Sequence, residues 1–229
     1  MANLFEELYA LFFPRICICC GKNLFDHEEL VCLMCIYSLP KTNFHLIEDN
    51  PVSRLFWGRA WIENAAACYY FTKGGRIQHM IHHLKYKNIP EIGVFLGKKY
   101  GNDLKNSETF NKIEAIIPVP LHPKRKRKRG YNQSEVFADG LSESMGIPVE
   151  TSVLRRSVAS QTQTKKSKFS RWENVESIFI IKTPEKLENK HVLLVDDVIT
   201  TGATLEACIH SLQTIPGVKV SIASIAAVV

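Results

Sequence analysis

The period of the apolar positions changes several times along the chain. Leu4, Phe5, Leu8, Leu11 and Phe12 recur at helical spacing and stop before Pro14, which predicts a short amphipathic helix. Residues 14–40 form a cysteine-rich knuckle, and 41–60, with Asn43, Asp49, Asn50, Pro51 and Gly58, read as an irregular linker. A strand is expected over 65–71, then a turn at Lys73-Gly74-Gly75. A helix follows with Ile77, Met80, Ile81 and Leu84 on one face, and a second helix covers 91–104. From residue 113 strands and helices alternate. Strands are expected at 113–119, 177–182, 191–195 and 218–229, and helices at 132–145 and 204–215. The last helix sets Leu205, Cys208, Ile209, Leu212 and Ile215 on one face. Near-continuous apolar strands separated by helices imply an α/β fold with a parallel sheet covered on both sides. No internal repeat is visible; 124–129 and 157–170 are the compositionally biased stretches.

Composition narrows the class. The 229 residues are 45% apolar and 23% charged, enough for one medium domain with a small appendage and a sizeable core. No apolar run reaches the length of a membrane span. Glu6 and Glu7, without a leading basic cluster, make the N-terminus a poor secretory signal. The net charge of +6 is concentrated at 124–129, which says more about a local anionic ligand than about the whole surface.

Five of the seven cysteines fall between Cys17 and Cys35. Two C-x-x-C pairs in a chain without a secretory signal favour reduced thiols, and the cytoplasm as the expected compartment. Cys17, Cys20, Cys32 and Cys35 suit tetrahedral Zn²⁺, and Gly21 permits the tight turn that aims N–H groups at sulfur. Four ligands close the site, so the zinc is structural. Cys19 is an alternative ligand. Cys68 and Cys208 read as buried residues, and His79, His82 and His83 as a polar helix face.

The stretch HVLLVDDVITTGATLE, 191–206, carries the chemistry. A buried strand runs into Asp196 and Asp197, and a small-residue loop then opens a helix. Ligands of open parallel sheets bind at the carboxyl ends of strands. Unpaired N–H groups and the positive end of the helix dipole make such a loop an anion site. Gly202 allows close approach, and Thr200, Thr201 and Thr204 add hydroxyl donors. The carboxylates would repel that anion, so they need hydroxyl donors or a hard cation such as Mg²⁺. A ribose 5-phosphate satisfies both halves: its phosphate in the loop, its hydroxyls on the aspartates.

LLVDDVITTGAT resembles the phosphoribosyl pyrophosphate (PRPP) motif of type I phosphoribosyltransferases. The resemblance implies that Asp196 and Asp197 hold ribose hydroxyls and that Ile199, Thr200, Thr201, Gly202, Ala203 and Thr204 hold the 5′-phosphate. The stretch PVPLHPKRKRKRGYNQ, 118–133, is similar to a segment of the ComF (GntX-like) family. So are Lys85-Tyr86-Lys87, the 154–179 region and the knuckle, which together span nearly the whole chain. The fold implied is a type I phosphoribosyltransferase-like parallel sheet flanked by helices, with an N-terminal four-cysteine zinc knuckle. Residues 1–40 would be helix and knuckle, and 41–229 the phosphoribosyltransferase-like domain, with a hood at about 60–105 and a core at about 110–229. Lys85, Lys124 and Arg125 would join the PRPP site. Lys165 and Arg171, in a loop that would fold over PRPP, would approach the pyrophosphate, with Mg²⁺ beside it.

The function implied is transfer of a phosphoribosyl group with release of pyrophosphate, in a protein linked to DNA uptake and competence beside a helicase-like partner. Two alternatives stand beside it: a PRPP- or nucleotide-sensing module without turnover, and a zinc-dependent single-stranded DNA binder. The basic run serves the latter, but without the interleaved aromatics of stacking platforms. The acceptor and the oligomeric state are not encoded in any motif.

Overall fold

The structure, a computed structural model, describes residues 13–156 and 178–229. Four strands, β1 (Ala65–Tyr70), β2 (Ala115–Pro118), β5 (His191–Ile199) and β6 (Lys219–Ala227), form one all-parallel sheet in the order β1-β6-β5-β2. Val192, Leu193, Leu194 and Val195 of β5 are fully buried, as parallel strands covered on both faces require. β3 (Leu154–Arg156) and β4 (Phe179–Ile181) make a separate antiparallel pair.

Helix α3 (Arg76–Tyr86) buries Ile77, Met80, Ile81 and Leu84, the face expected from their spacing. α4 (Glu91–Lys105) carries Gly93, Gly97 and Gly101 four residues apart on its buried face. These lie against α6 (Gln133–Met145), where Gly140 answers them. A Cβ added to Gly97 would stand 2.9 Å from Gly140 Cα and from Leu141 N, and closer still to the Phe137 carbonyl. Absence of side chains at this crossing lets two backbones touch. α7 (Ala203–Leu212) follows β5 and buries Leu205, Cys208, Ile209 and Leu212.

Three expectations need correction. The basic run, read only as a compositionally biased stretch with no element assigned to it, is a helix, α5 (Pro123–Arg129). Pro123 sits in its first turn, His122 Nδ1 accepts the Lys124 N–H at 3.2 Å, and Gly130 ends it at φ 82°. Lys and Arg are good helix formers, so the run has both propensity and caps. The linker at 41–60 is also ordered: a 3₁₀ turn at Phe44–Leu46 precedes α2 (Pro51–Arg54), where Asn50 and Ser53 form a reciprocal capping box. Third, β5 does not stop at the aspartates. It pairs with β6 through Asp196↔Ser224 to Ile199↔Ala227, while β2 ends opposite Val195.

Both sheet edges are covered. Beside β1, Tyr70 N–H donates to the Pro40 carbonyl at 2.9 Å, Thr42 N–H to Cys68, and Asn50 Nδ2 to the Ala65 carbonyl at 2.8 Å. Beside β2, Ile116 exchanges backbone bonds with Pro148 and Glu150, at 2.9 and 2.8 Å. The knuckle contains a five-residue helix, α1 (Leu33–Tyr37). The predicted helix before Pro14 lies outside the described residues. Among the described residues no helix is long and apolar enough to cross a membrane.

Candidate functional site

Asp196 and Asp197 lie where β5 has outrun β2. Successive strand side chains leave on opposite faces, so the two carboxylates address different helices. Asp196 Oδ1 accepts the Ser134 hydroxyl from the first turn of α6 at 2.9 Å, and the Asp197 N–H at 2.9 Å. Asp197 Oδ1 pairs with Lys85 Nζ from the last turn of α3 at 2.8 Å. Burial, and next the adjacent Asp197 charge, push Asp196 up to about 7 despite those two hydrogen bonds. One carboxylate buried beside another at the end of a parallel sheet makes this a candidate ligand site.

After Ile199 the chain turns through Thr200, Thr201 and Gly202 into α7. Gly202 sits at φ 76° over the ring of Phe56, while Thr200, Thr201, Ala203 and Thr204 are exposed. The first N–H groups of the helix have no intrahelical acceptor and, with the dipole, favour an anion. The structure thus brings together Asp196, Asp197, Lys85 and the 199–204 loop.

Two cavities meet at Lys85 and Tyr86. One, about 680 Å³, is lined on its basic side by Lys85, Arg125, Arg127, Lys128 and Arg129. The other, about 340 Å³, adjoins Asp197 and Thr200 and is walled by Phe71, Gln78, His82 and Tyr86. Arg125 therefore lines the basic cavity beside Lys85, and Lys124, although on the same helix, does not line either cavity. Arg129 is spent internally: its Nη1 donates to Gln133 Oε1 at 2.6 Å and its guanidinium lies 5.5 Å from the centre of the Tyr86 ring. Lys165 and Arg171 lie outside the described residues.

Three residues of this arrangement escaped sequence reasoning. Ser134 carried a signal, because it follows the capping Asn132 at a helix start next to a strand end. Arg127 and Lys128 were indistinguishable from their neighbours within the run.

In the knuckle, the sulfurs of Cys17, Cys20, Cys32 and Cys35 lie within 4.8 Å of one another. A tetrahedron with Zn–S of about 2.3 Å has edges of about 3.8 Å, and Cys20 Sγ stands 3.8 Å from Cys32 Sγ. The donor set fits a structural zinc. Cys32 N–H donates to Cys17 Sγ at 3.3 Å. Burial opposes the Cys17 thiolate, but the Cys32, Cys20 and Cys19 N–H groups outweigh it and bring the thiol down to about 6. Burial, with the Cys17 and Cys20 charges, pushes Cys19 up to about 12, and it stands outside the cluster. Among the described residues no other His, Cys or carboxylate group gathers ligand atoms for a metal. His79 and His83 instead use Nδ1 on the backbone oxygens of Ile18 and His79, at 3.3 and 2.9 Å. Cys68 and Cys208 are buried free thiols.

The parallel sheet, with its acid pair leading into the glycine-capped loop that opens α7, has a phosphoribosyltransferase-type α/β fold: the phosphoribosyl transferase domain family matches residues 131–228. Competence protein F of Haemophilus influenzae is 38% identical over 104 residues, 45% of this chain and 45% of that protein. DNA utilization protein YhgH of Escherichia coli O157:H7 is 30% identical over 194 residues, 83% of this chain and 80% of that protein. The chain belongs to the ComF-type family of phosphoribosyltransferase-fold proteins that these two represent. In its match to the Haemophilus protein it spans less than half of that protein's length. Among solved structures, the glutamine PRPP amidotransferase of Bacillus subtilis aligns at 22% identity and a TM-score of 0.42, covering 62% of this chain and 30% of that one.

Proposed function

We propose that the chain binds PRPP and transfers its phosphoribosyl group to a nitrogen acceptor with release of pyrophosphate. One observation carries this reading: Asp196 and Asp197, the 199–204 loop and Lys85 converge at one sheet end, beside a cavity lined by Arg125, Arg127 and Lys128. Asp196 and Asp197 would accept the ribose hydroxyls, and the loop N–H groups and threonine hydroxyls the 5′-phosphate. The basic cavity would take the pyrophosphate, with Arg171 and Lys165 as further cations. The acceptor would sit in the cavity of Phe71, Gln78, His82 and Tyr86, on the other side of Lys85. The C1–O bond to pyrophosphate breaks as the N–C1 bond forms, and the positive charge that grows on the ring is met by carboxylates already in place. Mg²⁺ would enter with PRPP and offset the charge of the departing pyrophosphate.

The first test is calorimetric titration of PRPP with Mg²⁺ into wild type and Asp196→Asn/Asp197→Asn. Binding by the wild type that the double variant loses supports the site, and a screen of bases for pyrophosphate release then separates transferase from sensor. No binding by the folded wild type refutes the reading.

A second reading has its own observation. The cations of α5 exceed the needs of one pyrophosphate, and Tyr86, 64% exposed, stands beside them as a surface on which a base can stack. The names of the relatives, competence protein F and DNA utilization protein, support a role in handling DNA. Single-stranded DNA should then bind with a steep salt dependence and compete with PRPP; binding indifferent to both salt and PRPP would remove this reading.

A further inference from the structure

Arg59 lies in the stretch whose pattern suggests only a linker, far in sequence from any motif. Its Nη1 donates to the carbonyls of Leu55 and Thr201, both at 3.0 Å, and its Nη2 bonds the Glu206 carboxylate. Thr201 belongs to the loop that opens α7, and Glu206 to the first turn of that helix. Both groups are hostile to an anion bound at the loop. A carbonyl turned inward would present its oxygen to the phosphate, and a free carboxylate in the first turn would repel it. One guanidinium engages both. Phe56, three residues earlier, supports Gly202 from beneath, at the position where φ is 76°.

We propose that Arg59 is a positioning residue for the phosphate loop: it holds the Thr201 carbonyl away from the anion and neutralises Glu206, without touching the ligand itself. This rests on the reading of 199–204 as the 5′-phosphate site. The planar fork of arginine suits the task, since three acceptors are reached from one rigid group. Three of its five N–H donors, both on Nη1 and one on Nη2, are committed to the protein, and its effect on phosphate passes through the loop.

The test uses two probes on the full chain, ribose 5-phosphate and pyrophosphate with Mg²⁺, titrated calorimetrically. Arg59→Met should weaken ribose 5-phosphate about tenfold, from one carbonyl released and one bare carboxylate at a helix N-terminus. Pyrophosphate binding, centred on α5, should not change. Adding Glu206→Gln to Arg59→Met should recover much of the loss, which a merely structural role would not predict. Should Arg59→Met fold poorly, Arg59→Lys carries the test: it keeps the charge against Glu206 but not the fork, and should fall between wild type and Arg59→Met. Wild-type affinity for ribose 5-phosphate in a folded Arg59→Met overturns the brace and leaves the PRPP reading standing. Equal weakening of both probes also overturns it. Failure of wild type to bind ribose 5-phosphate overturns the PRPP reading, and the brace with it.

Discussion

Gly97→Ala sets two effects of opposite sign against each other. In an ordinary helix interior the change stabilises by about 1 kcal/mol, because alanine loses less backbone entropy on folding. Here the new Cβ would stand 2.9 Å from Gly140 Cα and Leu141 N, and nearer still to the Phe137 carbonyl, where ordinary contact begins at 3.4 Å. All three are backbone atoms of a helix and cannot rotate aside. The helices must separate, loosening the buried Phe137 and Leu141 that stand against Gly97 at this crossing. Overpacking of this kind costs about 1–3 kcal/mol, and with rigid neighbours the upper end applies. The net expectation is a loss of about 2 kcal/mol, or roughly 4–8 °C in Tm for a chain of this size. Asn102→Ala, on the exposed side of the same helix, should instead leave Tm level or raise it slightly. Because α6 carries Ser134 beneath Asp196, Gly97→Ala should also weaken PRPP binding. A Tm that rises in Gly97→Ala as it does in Asn102→Ala would refute the close approach of α4 and α6.

The raised Asp196 makes both binding and stability depend on pH. Ribose acceptance needs the ionised form, so affinity for PRPP should climb as pH rises through about 7 and then level off; a flat profile from 5.5 to 8.5 would exclude Asp196 from binding. Stability runs the other way. The unfolded chain gives up this proton near 3.9 and the folded chain only near 7, so stability falls across that interval and stays low above it. Asp196→Asn should therefore unfold at a higher temperature than wild type at pH 8 while losing PRPP, as followed by scanning calorimetry. Lys85→Met strands the half-buried Asp197 and should cost about 2 kcal/mol at neutral pH, largely recovered in Lys85→Met/Asp197→Asn; full additivity of the two changes would deny the pairing. Metal analysis should find one zinc per chain in the wild type and none in Cys35→Ser, and zinc retained by Cys35→Ser would point to a replacement ligand such as Cys19.

The parts of the fold that were legible follow from burial alone. Leu193 and Leu194 have no polar alternate, so β5 reads as a two-sided core strand, and the 3.6 period of Ile77, Met80, Ile81 and Leu84 makes α3 visible. What hid was set by partners distant in sequence. Whether β5 continues past Asp196 depends on β6, whose Ser224 and Ala226 offer a ladder that no local pattern reveals. Helix α5 hid behind its charge, since seven residues of Pro, Lys and Arg show no apolar face. At the candidate site, the acid pair and the glycine loop stood out because adjacent carboxylates at a buried strand demand a reason. Arg59 did not, because its role consists of contacts made 142 and 147 positions away.

The short extended segments along β1 and β2 bear on how copies of this chain can meet. An open parallel sheet normally ends in two rows of unpaired N–H and C=O groups, each a template for a strand from another molecule. Here Pro40, Thr42 and Asn50 occupy one row, and Pro148 and Glu150 the other, two of the five being prolines that offer no N–H of their own. Recruitment of a foreign strand would first have to peel off a segment already bonded, so self-association through helices or loops is favoured over growth of the sheet.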